Sequence, residues 1–470
     1  MSGRSMGMIS SWNNDTYKTI EATVGNKKAR MVAHAHTAAT SWVEGVVKTE
    51  GIDCGFHRLP GYVFEAGRTG KSGNKAYEEF SACSRLGLMQ AKMEHVGCGA
   101  GVTTGSLTQA LTLPNCACLD PVKYTQGLAK AVVDAGGKVF EGTKARGGIV
   151  TGPHQGIVQI MDKSYTVQAR DAVVLATHSP INRDQLWVHD RQLPRMSYTI
   201  GLEVPKGSVQ LGQYFDLQGG HQMRLAPLPG NPDVEVLLVQ AAMELYGSTG
   251  KEDPYAKLEA WARSIFPQAV KVVTKWSSHD YYPADLLGLY GQDPLDREQP
   301  ANYIMTGHSG QDMTGATIGS EVVANSILQL PNPWAAAYKP SRFMLTISAA
   351  AKYAVELTTY FSRIALCLGK HIMPGSIYDI MGVVQPHSVE GLIKPGDGMV
   401  VQHGWRKKAL WRDEEGTLHQ HSALCTHLGC CVSYNPIEKC FDCPCHGSCF
   451  TGRGQCVHGP AVADLEDLMK

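Results

Sequence analysis

Two short segments near the C-terminal end of the chain each combine cysteine, histidine and glycine, and they constrain the fold of this region more than any other feature. The first is Cys425-Thr-His-Leu-Gly-Cys430 and the second is Cys443-Pro-Cys-His-Gly-Ser448. A glycine just beyond each histidine allows the backbone angles of a tight bend, so each segment can present two ligands from one loop. Two thiolates can hold one ferric iron while two neutral imidazoles hold another. The pattern therefore predicts a metal centre held between two loops.

These segments closely resemble the cluster-binding loops of the Rieske iron-sulfur family. The resemblance implies that Cys425 and Cys443 bind one iron of a [2Fe-2S] cluster, and that His427 and His446 bind the other. Replacing thiolate by imidazole raises the potential of such clusters to about −150 to +300 mV. The resemblance also implies a disulfide that joins the two loops, formed by Cys430 and Cys445.

The same resemblance assigns roles to residues around the cluster. Gly429 and Gly447 form the bends, the Ser448 hydroxyl donates to a bridging sulfide, and Pro460 shields the cluster from water. High-potential members carry a tyrosine two residues after that serine, and this chain has Phe450. Because one hydrogen-bond donor to sulfur is missing, we expect a potential below that of the respiratory-chain type.

A structural zinc site is the alternative interpretation, because Cys₂His₂ is also a tetrahedral zinc set. Zinc fingers usually pair cysteine with cysteine and histidine with histidine in each arm, whereas each arm here has one of both. Four further cysteines lie nearby, namely Cys431, Cys440, Cys449 and Cys456. We interpret Cys431 and Cys449 as packing thiols, since free cysteine is often buried.

Length and composition exclude several classes of protein. A chain of 470 residues predicts two or three domains. Its 43 basic and 43 acidic residues balance, so no net positive charge attracts the chain to nucleic acid or to an anionic membrane. The first residues contain no apolar signal core, and no uncharged apolar run reaches 18 residues. We expect a soluble protein, cytoplasmic or organellar and not secreted, without a transmembrane segment.

Apolar periodicity upstream predicts alternating helices and strands. We expect helices within residues 15–48 and 124–135, and strands at 62–64, 138–140, 156–160 and 165–167. The run Asp171–Thr177 has the pattern of a buried parallel strand. A second strand at 303–307 leads through a glycine-rich turn into a helix ending near Leu328, which places backbone N–H groups near an anion or an electron-rich ring.

Beyond Trp334 the composition changes, and residues 343–368 have the pattern of a docked helical connector. Short strands with glycine turns follow from about residue 383. We therefore divide the chain into an α/β (α+β) domain at residues 1–335, a connector at 336–380 and a small all-β domain at 381–470.

The order of elements and motifs upstream resembles the FAD-dependent oxidoreductases of the D-amino acid oxidase/glycine oxidase superfamily. The motifs that carry the resemblance are Gly3–Gly7, Ile52–Phe56, 120–137, Val173–His178, Trp276–Asp285, Thr306–Thr314 and Asn332–Trp334. The resemblance implies FAD, with amides near the flavin pyrimidine edge that favour its reduced, anionic form. The residues implied in this site are Thr177, Gly307, Gly310, Gln311, Asp312, Met313 and Thr314.

Three further residues are candidates for the substrate side of such a site, although each is also a common structural residue; they are Tyr198, His221 and His308. The family often uses an arginine near the stretch before Pro283 to hold a carboxylate. This chain has Ser277-Ser-His-Asp280 there, so the sequence offers no clamp for an amino acid substrate.

One departure from the family pattern concerns the pyrophosphate. The family begins with a strand, a Gly-x-Gly-x-x-Gly turn and a helix, and this sequence has no such unit. The string Gly97-Cys-Gly-Ala-Gly101 lacks the third spacing, so we interpret it as a loop. We expect the first βαβ unit to be missing from this chain and FAD binding to be weakened by several kcal/mol, at about 1.5–3 kcal/mol per charge-assisted bond.

Two functions remain open from the sequence. The first is an oxidoreductase in which a flavin accepts two electrons from a small organic donor and the cluster removes them singly, with His427 and His446 at an exposed tip facing a redox partner protein. The second is a non-catalytic electron-transfer protein on a flavin-less remnant of the oxidase fold. A Rieske oxygenase is disfavoured, because only 24 residues follow His446, too few for a non-haem iron domain.

Overall fold

A long mixed sheet forms the centre of the N-terminal region, which we define as residues 2–342. The structure is a computed structural model that describes residues 2–66, 74–96, 108–146, 155–160, 163–181, 186–241, 244–247, 252–295, 301–342, 390–403 and 406–469, with residues 358, 362 and 365 between them. The long sheet has the order β1-β4-β2-β10-β11-β12-β9-β13, with β14 paired to β9 and β3 to β4. Its strands are β1 Met8–Ile9, β2 His57–Phe64, β3 Lys92–Val96, β4 Thr108–Cys118, β9 Gln192–Pro205, β10 Gln213–Asp216, β11 Gln222–Pro227, β12 Val234–Gln240, β13 Glu244–Leu245 and β14 Val272–Pro283.

Two smaller sheets complete the N-terminal region. One is an antiparallel meander of β5 Thr143–Arg146, β6 Gln155–Ile160 and β7 Lys163–Gln168. In the other, β16 Ala301–Thr306 pairs in parallel with β8 Ala172–Leu175 and antiparallel with β15 Leu289–Gln292. Both apolar runs form strands as predicted, and the first is parallel as its pattern predicts.

Helices cover the sheets at positions that the sequence dictates. Asp120 caps the fourth helix by accepting hydrogen bonds from the Val122 and Lys123 amides. The first two helices are separated at Gly25, whose φ of 80° lies in the left-handed region. The helices are α1 Tyr17–Val24, α2 Asn26–Thr49, α3 Asn74–Arg85, α4 Pro121–Asp134, α5 Leu186–His189, α6 Pro254–Ile265, α7 Asp312–Ile327 and α8 Ala335–Tyr338, with a 3₁₀ turn at Ser2–Arg4. None of the described helices is long and apolar enough to cross a membrane.

The C-terminal region, residues 390–469, is built from two small antiparallel sheets. Three strands form the first, β17 Asp397–His403, β18 Arg406–Arg412 and β19 Leu418–Ser422. Four short strands form the second, β20 Ser433–Asn435, β21 Cys440–Asp442, β22 Cys449–Thr451 and β23 Cys456–His458. A core of small and aromatic side chains joins them, with Phe441 and Phe450 fully buried.

Two sequence predictions about strands need correction. Residues 138–140 are not a strand, because the chain leaves α4 through Gly136-Gly137 into solvent, where Phe140 is 68% exposed. The strand at 171–177 is parallel as expected but not fully buried. It lies at the edge of its three-stranded sheet, and Val174 is 41% exposed. The connector at 343–368 and the loop at 97–101 lie outside the described residues.

A buried ion pair fixes the end of the N-terminal region. The Arg342 guanidinium donates to both carboxylate oxygens of Asp285 at 2.6 Å, and both residues are less than 10% exposed. The same guanidinium donates to the backbone carbonyls of Leu287, Gly288 and Tyr338. Because all of its donors are directed at acceptors, Arg342 joins the β14–β15 turn to α8.

We expect Asp285→Ala to lower the free energy of unfolding by about 3–5 kcal/mol, because it leaves a buried guanidinium without its counter-charge. Urea unfolding followed by circular dichroism measures this loss. Glu78→Ala is the matched control, because Glu78 pairs with Lys18 on the surface and such pairs contribute about 0–1 kcal/mol. Equal losses in the two variants would contradict the role given to the buried pair.

Candidate metal centre and adjoining pocket

The two cysteine-histidine segments form two tight loops that close onto each other. In the first, the Gly429 amide donates to the Cys425 carbonyl at 2.8 Å and the Cys425 amide donates to the Cys430 carbonyl at 2.9 Å. In the second, the Gly447 amide donates to the Cys443 carbonyl at 3.0 Å. Gly429 and Gly447 have φ values of 74° and 78°. Both bends therefore use the left-handed backbone that their glycines predict.

The four proposed ligand side chains converge between the loops. The thiols of Cys425 and Cys443 are hydrogen-bonded, and the rings of His427 and His446 have centroids 4.9 Å apart. The interaction between the two thiols lowers the pKa of Cys425 and raises the pKa of Cys443, and burial lowers the pKa of His446 to about 3. Metal ligands must be thiolates and neutral imidazoles, so the shifts at Cys425 and His446 favour the ligating forms, whereas the shift at Cys443 favours its thiol.

Residues next to these ligands support the loops. A disulfide joins Cys430 and Cys445, the pair that the resemblance implies. The Ser448 hydroxyl accepts the Ala461 amide at 3.1 Å and also bonds the Cys425 sulfur. Pro460 is buried beside this contact.

Gly459, just before this proline, has a φ of 110°, and a Cβ atom there would lie 2.3 Å from the Ser448 Cα atom. Only glycine permits this approach of the two backbones.

Phe450 lies in the core beneath the loops, fully buried on β22 and paired with Phe441 on β21. The other cysteines of this region are free thiols. Cys431 is buried, and its sulfur donates to the Val432 carbonyl at 3.5 Å. Cys440 and Cys449 pack in a cluster with residues of the N-terminal region.

The prediction that His427 and His446 lie at an exposed tip is wrong. They are only 2% and 3% exposed, because the N-terminal region covers them. The Tyr281 hydroxyl on β14 donates to the His446 carbonyl at 3.0 Å, and the Tyr246 hydroxyl donates to Asp442 Oδ1 at 2.7 Å. The sequence carries no sign of this docking, because it depends on contacts between segments about 165 and 196 residues apart.

Two buried histidines of the N-terminal region, His189 and His279, add to the covering surface, and the sequence predicted neither in this role. The His189 ring lies against the two proposed ligand rings, at centroid distances of 5.0 Å and 5.4 Å. His279 stacks on His458 of β23 at 3.8 Å with an interplanar angle of 13°. The sequence around α5 contains no motif that would have marked His189 as a functional residue.

A small cavity of about 30 Å³ lies beside β14. It is lined by the N-terminus of α7, by β14 and by the first residues of the chain, namely Ser5, Met6, Met8, Ser10, Phe215, Gln222, Gln240, Ser278, His279, Asp280, Gly310, Gln311, Asp312 and Thr314. The side chain of Gln311, the residue before α7, makes no capping hydrogen bond to the helix, so α7 presents the positive end of its dipole to this cavity.

The residues implied in FAD binding divide into two groups. Gly310, Gln311, Asp312 and Thr314 line the cavity. The others do not: Met313 packs into the core, Gly307 forms a turn against Pro283, and Thr177 is exposed with its hydroxyl on the Ser179 carbonyl.

The three substrate-side candidates also lie off the cavity lining. His308 bonds the Tyr290 hydroxyl at 3.0 Å, and His221 stacks on Trp261 while bonding Asp216. Tyr198 packs in the cluster between the two regions. These contacts are typical of structural residues.

Two carboxyl groups dominate the electrostatics of the cavity. Asp280 is 1% exposed and accepts the amides of Gly310 and Tyr281. Burial and the nearby charge of Asp312 raise the pKa of Asp280 well above its usual range. Burial raises the pKa of Asp312 to about 6. Both carboxyl groups therefore favour their protonated forms more than exposed carboxyl groups do.

The residues of the two sites fit the [2Fe-2S] cluster and the flavin to different degrees. Two sulfurs and two imidazoles on buried, glycine-turned loops fit a [2Fe-2S] cluster. The uncapped α7 N-terminus fits the electron-rich edge of a flavin ring. The cavity fits less well, since 30 Å³ is far below the 300–1,000 Å³ of ligand pockets, so binding of the ring requires lining side chains to move.

Comparison with known proteins agrees with this division of the chain. The model of the FAD dependent oxidoreductase family matches residues 1–326, and that of the Rieske [2Fe-2S] domain matches residues 385–468. A Bacillus subtilis (strain 168) protein named as a Rieske 2Fe-2S iron-sulfur protein, YhfW, is 26% identical over 447 residues, which are 94% of this chain and 81% of the relative. An iron-sulfur subunit of the cytochrome b6-f complex of Cyanophora paradoxa is 45% identical over 76 residues, 15% of this chain and 31% of that subunit.

Solved structures share the fold of the N-terminal region. Glycine oxidase from Geobacillus kaustophilus superposes with a TM-score of 0.54 at 15% identity, covering 73% of this chain and 89% of its own. L-amino acid deaminase from Proteus vulgaris gives 0.53 at 14% identity, covering 73% and 84%. The family implies FAD and the Rieske domain implies a [2Fe-2S] cluster. The chain belongs to the FAD dependent oxidoreductase family and carries a Rieske [2Fe-2S] domain at its C-terminal end.

Proposed function

We propose that the protein oxidises a small organic molecule in the cavity beside α7 and passes the electrons one at a time through a Rieske cluster. The observation that carries this proposal is that one strand, β14, contacts both sites. Asp280 on this strand accepts the Gly310 amide at the cavity wall, and the next residue, Tyr281, holds the His446 carbonyl of the cluster loop. Neighbouring residues of a strand point to opposite faces, so one strand serves both sites.

In this proposal the cluster is bound by Cys425 and Cys443 at one iron and by His427 and His446 at the other. The disulfide between Cys430 and Cys445 holds the loops together, which limits their rearrangement when the cluster changes charge. FAD, when bound, supplies the acceptor of two electrons.

The polar lining of the cavity supports a small polar substrate. Gln222, Gln240 and Ser278 offer hydrogen bonds to it. Asp312, whose pKa of about 6 leaves it largely ionised at pH 7, is the group that takes the proton released on oxidation. The buried histidines leave the side of Leu424 and Leu428, each 41% exposed, for a redox partner protein.

The second candidate function is electron transfer without catalysis. The size of the cavity favours it, and so does the Asp280 carboxylate, which accepts the Gly310 amide that the flavin edge would use. A visible spectrum of the purified protein separates the two functions. Flavin and cluster bands together support the oxidoreductase, whereas cluster bands alone support the electron-transfer protein.

We expect Cys425→Ser to abolish the cluster, because serine does not supply the thiolate that ferric iron requires. Anaerobically purified protein should contain iron and acid-labile sulfide in equal amounts, and the variant should contain neither. Cys431→Ser is the matched control, since this buried thiol is a neighbour in sequence but is not a proposed ligand. Zinc in place of iron, without sulfide, would contradict the proposed function.

Phe450→Tyr should raise the reduction potential of the cluster. The added hydroxyl can donate to a ligand sulfur and stabilise the more negative reduced state. One hydrogen bond contributes about 0.5–1.5 kcal/mol, which corresponds to roughly 20–60 mV for one electron. Protein-film voltammetry measures the shift, with unchanged iron and sulfide as the control. An unchanged or lower potential would show that the missing donor does not set the potential.

Asp312→Asn should stabilise the protein at neutral pH more than at acid pH. A carboxyl whose pKa is raised to about 6 stabilises the fold below its ordinary pKa, and this stability is lost as pH rises through 6. The variant minus wild-type difference in unfolding free energy should therefore grow by roughly 1–3 kcal/mol between pH 4 and pH 7.5. Urea unfolding at both pH values tests this, with the exposed Asp53→Asn as control. A difference independent of pH would refute the assignment.

A further inference from the structure

His189 is a buried imidazole of the N-terminal region that faces both histidines of the C-terminal loops. Its ring centroid is 5.0 Å from that of His427 and 5.4 Å from that of His446. The residue is 1% exposed. Neither of its ring nitrogens has a hydrogen-bond partner among the described residues. A polar ring in this state requires an explanation, because a buried polar group without a partner destabilises the fold.

The backbone that follows His189 leads to a contact with the second cluster loop. The Arg191 amide closes the end of α5 by donating to the Val188 carbonyl at 3.3 Å. β9 starts at Gln192, and its Pro194 packs closely on Gly447. A Cβ atom at Gly447 would lie 2.8 Å from the Pro194 side chain. His189 therefore lies five residues before a close contact between the two regions.

Cluster binding supplies the partner that His189 lacks. An imidazole that binds iron through one nitrogen carries an N–H on the other. A neutral imidazole offers one acceptor nitrogen to such a donor. Ligand histidines in metal sites almost always donate this second N–H to a neighbouring acceptor, which makes the ligand a better electron donor.

We propose that His189 accepts a hydrogen bond from the ring N–H of His427 or His446 when the cluster is bound. His189 is then a positioning residue, supplied by the N-terminal region, that lowers the reduction potential of a cluster held by the C-terminal region. The physical reason is that a more electron-donating ligand stabilises the oxidised irons. This inference rests on the proposed function, because it requires the cluster.

The test compares two variants of the full-length, cluster-loaded protein. His189→Phe keeps a ring of similar size but has no acceptor, so the reduction potential should rise. A tenfold change in the ratio of oxidised to reduced cluster at fixed potential corresponds to 59 mV for one electron. His189→Gln keeps an acceptor oxygen and should stay closer to wild type. His36→Phe is the control, since His36 is a buried histidine of the same region whose contacts are Asn13 and the Ser10 carbonyl.

Protein-film voltammetry gives the potentials, and pulsed electron paramagnetic resonance of the reduced protein gives the couplings of the ligand nitrogens. A higher potential and altered nitrogen couplings in His189→Phe, with partial rescue in His189→Gln, support the proposal. Equal shifts in both variants, or none in either, overturn it. If His189→Phe loses the cluster, the test depends on His189→Gln alone. A potential and nitrogen couplings equal to those of the wild type then support the proposal, and a shifted potential overturns it.

Iron and sulfide in the wild type separate this result from the proposed function. Wild-type protein without a cluster refutes the proposed function itself. Wild-type protein with a cluster but an insensitive potential in both variants refutes only the role of His189.

Discussion

The contact between the cluster loops and strand β14 is the constraint on which the arrangement of the whole molecule depends. Through Tyr281, this strand fixes the His446 carbonyl, and through Asp280 it fixes the Gly310 amide at the start of α7. Both groups are backbone atoms of tight turns, so a shift of the strand would disturb two turns at once. These two contacts thereby hold the C-terminal region in a fixed position against the long mixed sheet.

Burial of the histidine ligands changes the expected course of the electrons. Rings that are 2% and 3% exposed cannot touch a second protein, and they face the N-terminal region instead. The His189 ring of α5 lies against both rings, the two rings lie against each other, and β14 contacts the His446 carbonyl. In the function proposed here, the histidine side of the cluster therefore faces the source of electrons inside the chain, and the other side faces the partner.

Local chemistry decided what could be predicted from the sequence. The positive φ angles of Gly429 and Gly447 followed from residue type, and the parallel character of β8 followed from its apolar run. The ligand set itself remains a prediction. Features that depend on distant segments were missed, including the cover over His427 and His446.

The carboxyl pair shows the same limit in the pocket. Asp280 and Asp312 are 32 residues apart in the sequence, and only the crossing of β14 near the start of α7 brings their charges together. At Phe140 the sequence pattern predicted a strand that the structure does not form. A pattern of side chains specifies a local conformation, whereas pairing requires a second segment that the pattern does not name.

Two glycines at the interface argue that the two regions are fitted to each other. Gly247 of the N-terminal region lies against Pro444 of the second cluster loop, where a Cβ atom would be 2.8 Å from the proline. Gly447 of the same loop lies against Pro194 of β9 at an equal distance. Each region thus places a rigid proline ring on a residue of the other that has no side chain, at the two ends of one loop. Because a side chain at either glycine would separate the surfaces, the close approach that buries the histidines depends on both positions together.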